Sequence, residues 1–305
     1  MKRPSTSLLR GSPLVEEAIN KAATLIEALP YIRQYYDKTV VVKLGGSVMD
    51  DPSAERRLLE DMVFMHYVGM RPIIVHGGGK EISAAMDEAG LEPNFVQGLR
   101  YTDERTLAIA ERVLCDRINP RLVDTLESLG VEAIGLHSLS SCVLFADRMF
   151  LTGRNDRRID IGFVGKIKSV NAKVLQLLSS SGTIPVIAPI ARDGSGGKLN
   201  VNADAAAGEV ASAVGAEKLV MVSDTHGIRE SKDDPASFRN SLNREQVADF
   251  MARRIIGKGM IPKVEACLRA LDAGSRKAHI IDGRIPHSLL LEIFTDKGIG
   301  TQILP

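Results

Sequence analysis

The chain has 305 residues, 44% of them hydrophobic, and 39 Lys and Arg stand against 38 Asp and Glu. Such a chain can bury a sizeable core, and its balanced charge provides no global field to draw it to nucleic acid or an anionic membrane. The absence of Trp and only 4% aromatic residues argue against base-stacking platforms, and no apolar run approaches the length of a bilayer span. Three widely spaced cysteines, Cys115, Cys142 and Cys267, make neither a disulfide framework nor a zinc knuckle. They fit a reducing compartment, and the expected setting is cytoplasmic.

Residues 1–15 carry Lys2, Arg3 and Arg10 with no apolar segment and no small-residue cleavage site, and read as a leader. Residues 14–29 are helical by composition, and Pro30 is expected to end the run. Val15, Ile19, Ala22, Ile26 and Leu29 recur at steps of four and three, a single apolar stripe that needs a partner surface. That surface is either the chain's own domain or another subunit. Residues 39–44 then read as a buried strand, followed by a glycine turn and a helix over 53–68. A second strand at 72–76 is followed by another glycine turn and a helix over 80–89. A long helix is predicted near 103–129, a strand at 131–136, hairpins over 142–170, a helix at 172–180 and a strand at 183–188. The polar, Gly-rich stretch 192–198 marks a lobe boundary. The second half continues with a helix over 203–214, a strand at 218–222 and helices near 244–253 and 262–273. A strand at 277–281, a helix over 287–294 and a terminal strand at 301–304 close the chain. Strands alternating with helices predict an α/β fold, a three-layer sandwich around a largely parallel sheet.

Ligands of such sheets bind beyond the carboxyl ends of the strands. Three glycine-rich stretches are expected there: Gly45-Gly46 after the first strand, Gly77-Gly78-Gly79 after the second, and the 192–198 loop. Glycine lets backbone N–H groups approach a phosphate closely. No standard nucleotide fingerprint is present, since Ile82 interrupts G-x-G-x-x-G and Glu81 stands where a P-loop needs Ser or Thr. Lys43 sits within an apolar strand one residue before a glycine turn, where a buried ammonium calls for an anion. Asn200, Asn202 and Asp204 alternate with apolar residues and then open a helix, so one of them is an N-cap candidate. Lys263 falls in the first turn of a helix, where the macrodipole disfavours a cation and a compensating anion is expected. No H-E-x-x-H, G-x-S-x-G or metal-spaced cysteine pair occurs, and His76 and His279 read as core histidines.

In order and spacing, VVVKLGGS, PIIVHGGGKEI, GLRYTD, LNVNADAAAGEVA, VSDTHGI and GKGMIPKVEACLRAL resemble the N-acetylglutamate kinases of the amino-acid kinase superfamily. The likeness runs from about residue 25 to the C-terminus. KLGG and the glycine loops belong to the whole superfamily, whereas GLR-x-TD and N-V-N-A-D point to this branch. EALPYIRQYY and HIIDGRIPHSLLLEIFTDKGIGT resemble its arginine-inhibited, hexameric subgroup.

The resemblance implies phosphoryl transfer from ATP, with Mg2+, to the side-chain carboxylate of N-acetyl-L-glutamate in arginine biosynthesis. It implies that Lys43 and Lys263 neutralise the transferring group while Asp204 holds both lysines. Gly78, Gly79, Arg100 and Asn200 would bind the acceptor. Gly45, Gly46, Ser223, Asp224, Gly259 and Met260 would border the nucleotide. L-Arginine would bind as inhibitor among Lys218, His279, Glu292 and Gly298. The resemblance further implies a homo-oligomer, a hexamer built as a trimer of dimers. Its divisions would be a leader and oligomerisation helix over 1–35, an acceptor-binding and dimerisation lobe over 36–190, and a nucleotide and regulatory lobe over 191–305. No protein-held metal site, nucleic acid or membrane partner is expected. One departure stands out: His137 to Cys142 replaces a Gly-Ser-Gly-Lys-Asp-like turn. A glutamate 5-kinase or carbamate kinase, a non-catalytic arginine sensor and a dinucleotide-binding dehydrogenase remain alternative readings.

Overall fold

The computed structural model describes residues 13–305, apart from 139, 154–155, 232–233, 235–236, 258 and 296–297. The expected leader falls largely outside the described residues. The first element is α1 (Pro13–Tyr35), which runs through Pro30 where a stop was expected. Its last turns are held by tertiary packing that outweighs the missing N–H. The Tyr31 ring meets Phe294 edge-on at 6.5 Å, and Tyr35 is buried under Lys218. The stripe further up finds no such cover. Ile19 and Ile26 of the stripe are 60% and 69% exposed, and Leu25 beside them is 65% exposed, so these residues do not pack on their own domain.

Next come β1 (Thr39–Leu44), the short α2 (Gly46–Met49) in place of an open turn, and α3 (Pro52–Tyr67). They are followed by β2 (Arg71–His76), α4 (Gly79–Glu88), β3 (Phe95–Val96) and β4 (Leu99–Arg100). The predicted long helix is α5 (Glu104–Val113) and α6 (Asn119–Ser128), joined by a π-helical turn at Leu114–Ile118. Pro120 explains the wide turn: it lacks an N–H, and its ring crowds the carbonyl four residues back. β5 (Ala133–Leu136) leads into a hairpin of β6 (Leu144–Thr152) and β7 (Arg158–Val170). Then come α7 (Ala172–Ser180), β8 (Ile184–Ile187), β9 (Ile190–Arg192), β10 (Lys198–Val201) and α8 (Ala203–Val214). The remainder holds β11 (Lys218–Ser223), β12 (Ile228–Arg229), β13 (Phe238–Arg239), β14 (Ser241–Leu242) and α9 (Arg244–Ala252). It ends with α10 (Ile261–Asp272), β15 (Lys277–Asp282), α11 (Ser288–Ile293) and β16 (Thr301–Ile303).

Eight strands form the central sheet in the order β14-β16-β15-β11-β1-β2-β8-β5, parallel except where β15 meets β16. The strand pleat sorts side chains into two cores. Val40, Val42, Val220 and Ile281 join Leu58, Met62, Leu122 and Leu289 beneath α3, α6 and α11. Val41, Leu219, Met221 and Ile280 join Val210, Val264, Cys267 and Leu271 beneath α8 and α10. Four strands, β6, β7, β9 and β10, close into a small barrel beside the sheet. The glycine-rich stretch expected at the sheet's ligand edge is instead the turn between β9 and β10. The Asp193 carboxylate fixes it by accepting from Ser195 N at 2.8 Å and Gly197 N at 2.7 Å. Among the described residues no helix is long and apolar enough to cross a membrane.

A buried polar bridge fixes where the second glycine turn leaves the sheet. His76 at the end of β2 is fully buried, which pushes its imidazole down to about 4, so the ring is neutral at pH 7. Nδ1–H donates to Gly77 O at 2.8 Å, and Nε2 accepts from Asn119 Nδ2 at 3.1 Å. The same amide donates to Val186 O in β8 at 2.9 Å. Asn119→Ala is expected to cost about 2 kcal/mol or more, because two buried acceptors lose their donor at ~1–3 kcal/mol each. Urea unfolding of the purified variant checks this, and an unchanged midpoint would refute the role given to the bridge.

Candidate active site

Lys43 shares the parity of Val41 in β1, so the pleat aims it at the face covered by α8 and α10. Asn202 caps α8, its side chain accepting from Ala205 N at 3.0 Å. This leaves Asp204, two residues on, free of capping duty and 6% exposed. Lys263 comes from the first turn of α10, which Pro262 helps to start. The three side chains meet. Lys43 Nζ lies 2.7 Å from Asp204 Oδ1, and Lys263 Nζ lies 3.1 Å from Oδ2. Burial pushes the Lys43 ammonium below the ordinary lysine range, and Asp204 opposes that shift. Burial alone would raise the Asp204 carboxyl, but the two lysines hold it below the usual carboxylate range. Two cations and one anion leave a surplus positive charge in a nearly dry site.

A cavity of about 610 Å³ opens on one side of this triad, lined by Lys43, Asp204, Gly78, Gly79, Arg100 and Asn200 among others. Gly78 is required by packing: a Cβ there would come within 2.6 Å of Ile118 Cδ1 and 2.7 Å of Leu114 Cδ2, both on the π-helical turn. Arg100 is 9% exposed; its Nη2 donates to Gly79 O at 2.7 Å and Ser83 Oγ at 2.8 Å, and its guanidinium lies 4.8 Å from the Phe95 ring centre. Among the described residues no carboxylate forms an ion pair with it. A buried guanidinium held by neutral groups is set up to bind an anion. Asn200 Nδ2 donates to Thr102 Oγ1 at 3.2 Å, and that hydroxyl donates to Arg100 O at 2.9 Å. Thus GLRYTD works partly as scaffolding: Thr102 links the two acceptor candidates, while Asp103 caps α5. Reading by sequence assigns Thr102 no role, although its place inside a polar motif between β4 and α5 was a signal.

A second cavity of about 530 Å³ is lined by Ser223, Asp224, Gly259, Met260, Lys263 and Arg284, among others. Lys258 of the same loop lies outside the described residues. Gly45 backs against this edge: a Cβ there would come within 2.5 Å of Val222 O, so any side chain would displace β1 from β11. Gly46 opens α2 directly after it. Lys43 and Asp204 line the first cavity and Lys263 the second, so the triad sits where the two meet. None of the described residues in the atypical 137–142 loop lines either cavity; Ser138 O accepts there from Arg192 Nε at 3.0 Å. An anionic group passing between ligands in the two cavities would cross fixed positive charge.

Lys218, His279, Glu292 and Gly298 come together elsewhere, around a cavity of about 180 Å³ that Tyr35 of α1 also lines. The Lys218 Nζ sits 4.9 Å from the Tyr35 ring centre, and burial pushes it down to about 8. Glu292 Oε2 accepts from Ile299 N at 2.9 Å and Gly300 N at 3.0 Å, and its other oxygen contacts His279 Nδ1. Burial would raise the Glu292 carboxyl, but His279 and these backbone donors hold it low. Lys218→Met is expected to stabilise the fold at pH 7 by roughly 3 kcal/mol, because a tenfold change in proton affinity is worth ~1.4 kcal/mol. The unfolded lysine keeps its proton to ~10.4 whereas the folded one loses it near 8. The wild type therefore regains stability on the variant as pH rises from 8 to ~10.4. Parallel denaturant titrations across that window test the sign.

The sequence profile described as "Amino acid kinase family" matches residues 38–282. The acetylglutamate kinase of Symbiobacterium thermophilum is 46% identical over 290 residues, covering 95% of this chain and 99% of that protein. The acetylglutamate kinase of Thermoanaerobacter pseudethanolicus is 47% identical over 287 residues, covering 94% of each. Among solved structures, N-acetylglutamate synthase from Neisseria gonorrhoeae, complexed with coenzyme A and N-acetyl-glutamate, matches with a TM-score of 0.82 at 25% identity. The match covers 93% of this chain but only 63% of the synthase chain. The Giardia carbamate kinase shares the fold, with a TM-score of 0.62 at 15% identity, over 88% of this chain and 98% of its own. The chain belongs to the amino acid kinase family, on its acetylglutamate kinase branch.

Proposed function

We propose that this protein transfers the γ-phosphoryl group of MgATP to the side-chain carboxylate of N-acetyl-L-glutamate. The observation that carries the reading is the Lys43–Asp204–Lys263 triad at the junction of two cavities. The donor occupies the cavity of Ser223, Asp224, Gly259 and Met260, bordered by Gly45 and Gly46. The acceptor occupies the other, with its α-carboxylate on Arg100 and Asn200 and its side chain turned toward Gly78 and Gly79. A carboxylate oxygen attacks the γ-phosphorus in line, the bond to the bridging β-γ oxygen breaks, and ADP leaves. Lys43 and Lys263 offset charge on the oxygens of the moving group, and Asp204 keeps both ammonium groups at fixed separation. The acceptor is already ionised, so no general base is needed. Mg2+ arrives with the nucleotide as part of the substrate, because it keeps most of its water and favours phosphate oxygens; Asp224 is the carboxylate lining that cavity.

The finer features are also proposals. L-Arginine fits the third cavity by charge: Glu292 is an anion for its guanidinium or ammonium, and Lys218 a cation for its carboxylate. The exposed stripe of α1 supports assembly of a hexamer from dimers through a second copy's helix. Residues 1–35, 36–190 and 191–305 would then serve assembly, acceptor binding, and nucleotide and arginine binding. The cytoplasm is the proposed setting.

The direct test is ADP release from MgATP with N-acetyl-L-glutamate against L-glutamate, each with and without millimolar L-arginine. Turnover confined to the acetylated acceptor is expected, and turnover on glutamate alone would overturn the substrate. Arginine that leaves the rate unchanged would overturn only the inhibitor. Two charges ~4 Å apart are worth about 4 kcal/mol at an effective dielectric near 20. Lys43→Ala and Lys263→Ala should therefore each slow turnover at least ~100-fold, at ~1.4 kcal/mol per decade. Leu25→Glu with Ile26→Glu should lower the mass seen by light scattering while turnover stays within about twofold, since neither residue nears a cavity and a surface change costs the fold little.

A further inference from the structure

The donor cavity contains a cation that the transfer scheme leaves unused. Arg284 lines it from just beyond β15. Its backbone N–H and its Nε each donate to Asp282 Oδ1 at 2.9 Å, and its Nη2 donates to Oδ2 at 2.7 Å. Asp282 is only 1% exposed, and its Oδ2 also lies 3.2 Å from Nδ1 of His226, another residue lining the cavity. The Arg284 side chain itself remains 55% exposed. An exposed ion pair between two mobile side chains fixes little. Here the carboxylate is buried and the guanidinium grips it through two nitrogens, so the plane of the fork is set before a ligand arrives.

Its position in the fold is equally constrained. Gly283 N donates to Ser223 O at 2.9 Å, and a Cβ on Gly283 would come within 2.4 Å of Val222 Cγ1 and 3.0 Å of Val48 Cγ1. Arg284 therefore leaves the sheet against both α2, which follows Gly45, and the end of β11, which precedes Asp224. Asp224 lies within electrostatic reach of Lys43 and Arg284 alike. A nucleoside triphosphate brings more negative charge than the triad's single surplus cation can offset. A preoriented guanidinium at this edge supplies planar donors for it.

We infer that Arg284 binds the phosphate chain of the donor nucleotide, with Asp282 as the residue that positions it. The inference rests on the proposed reading of this cavity as the nucleotide site. Calorimetric titration of the full chain with MgATP and with adenosine separates the two. For Arg284→Gln, MgATP affinity should fall about tenfold or more, the scale of losing a charge-assisted contact, while adenosine affinity stays within about twofold. Arg284→Lys should recover part of the loss, and Asp282→Asn should fall between it and the wild type. Unchanged MgATP binding in Arg284→Gln, or equal losses for MgATP and adenosine, would overturn the clamp and leave the cavity assignment standing. A wild type that binds neither ligand would overturn the cavity assignment and the clamp together. If Arg284→Gln does not fold, the same comparison in Arg284→Lys and Asp282→Asn decides, with a loss confined to MgATP supporting the clamp.

Discussion

Asp204 is the residue on which the catalytic geometry depends. Lys43 and Lys263 arrive from a strand and a helix 220 positions apart in the chain, and without an anion between them their ammonium groups would repel in a site that water barely reaches. The carboxylate removes most of that repulsion and fixes the spacing of the two cations. It does not cancel them. The single positive charge left over is poorly screened, and so it is available to whatever anion bridges the two cavities. A triad that nearly balances is stable enough to be preformed and still unsatisfied enough to act on a ligand.

The parallel sheet makes that arrangement possible. β1, β2, β11 and β15 run in one direction and in matched register, so Leu44, His76, Ser223 and Asp282 all end on the same edge. Each strand is followed within one or two positions by residues able to face a ligand: Gly45, Gly77, Asp224 and Arg284. The pleat then divides duties between faces. Lys43 points toward α8 and α10, where Asp204 and Lys263 wait. Lys218 and His279 share the parity of Val220 and Ile281 and point the other way, toward α11 and the end of α1, where Glu292 and Tyr35 complete the third cavity. One sheet thus carries a chemical site and a separate polar cavity without the two sharing a side chain. α1 is the mechanical oddity: only its last turns are packed, and its exposed apolar stripe gains nothing from the chain's own core.

Much of this was legible in the sequence because it is local. Apolar runs at strand length, helical periodicity and glycine after a strand depend on neighbours within a few residues, so the order of the longer elements and the sheet class could be read directly, whereas the two-residue strands β3, β4, β12, β13 and β14 could not. The anomalies were legible as well. A lysine inside VVVKL and another in the first turn of a helix each break a local preference, and a broken preference marks a residue held by something distant. Local reading failed where tertiary contact overrode it. Pro30 does not stop α1, because Tyr31 and Tyr35 are docked beyond it. Residues 192–198 have the composition of a phosphate loop but close a barrel hairpin, since β9 and β10 happen to pair.

Sequence alone therefore determined which residues were chemically out of place, and that they lay along the edge of a parallel sheet. It could not determine which of Asn200, Asn202 and Asp204 would cap the helix and which would hold the lysines; in the structure the cap is Asn202 and the lysines are held by Asp204. Nor could it show that Thr102 ties Asn200 to the backbone of Arg100, or that the barrel turn lies away from the cavities. Those outcomes depend on distances between segments far apart in the chain, set by strand order and helix packing, and no local pattern encodes them.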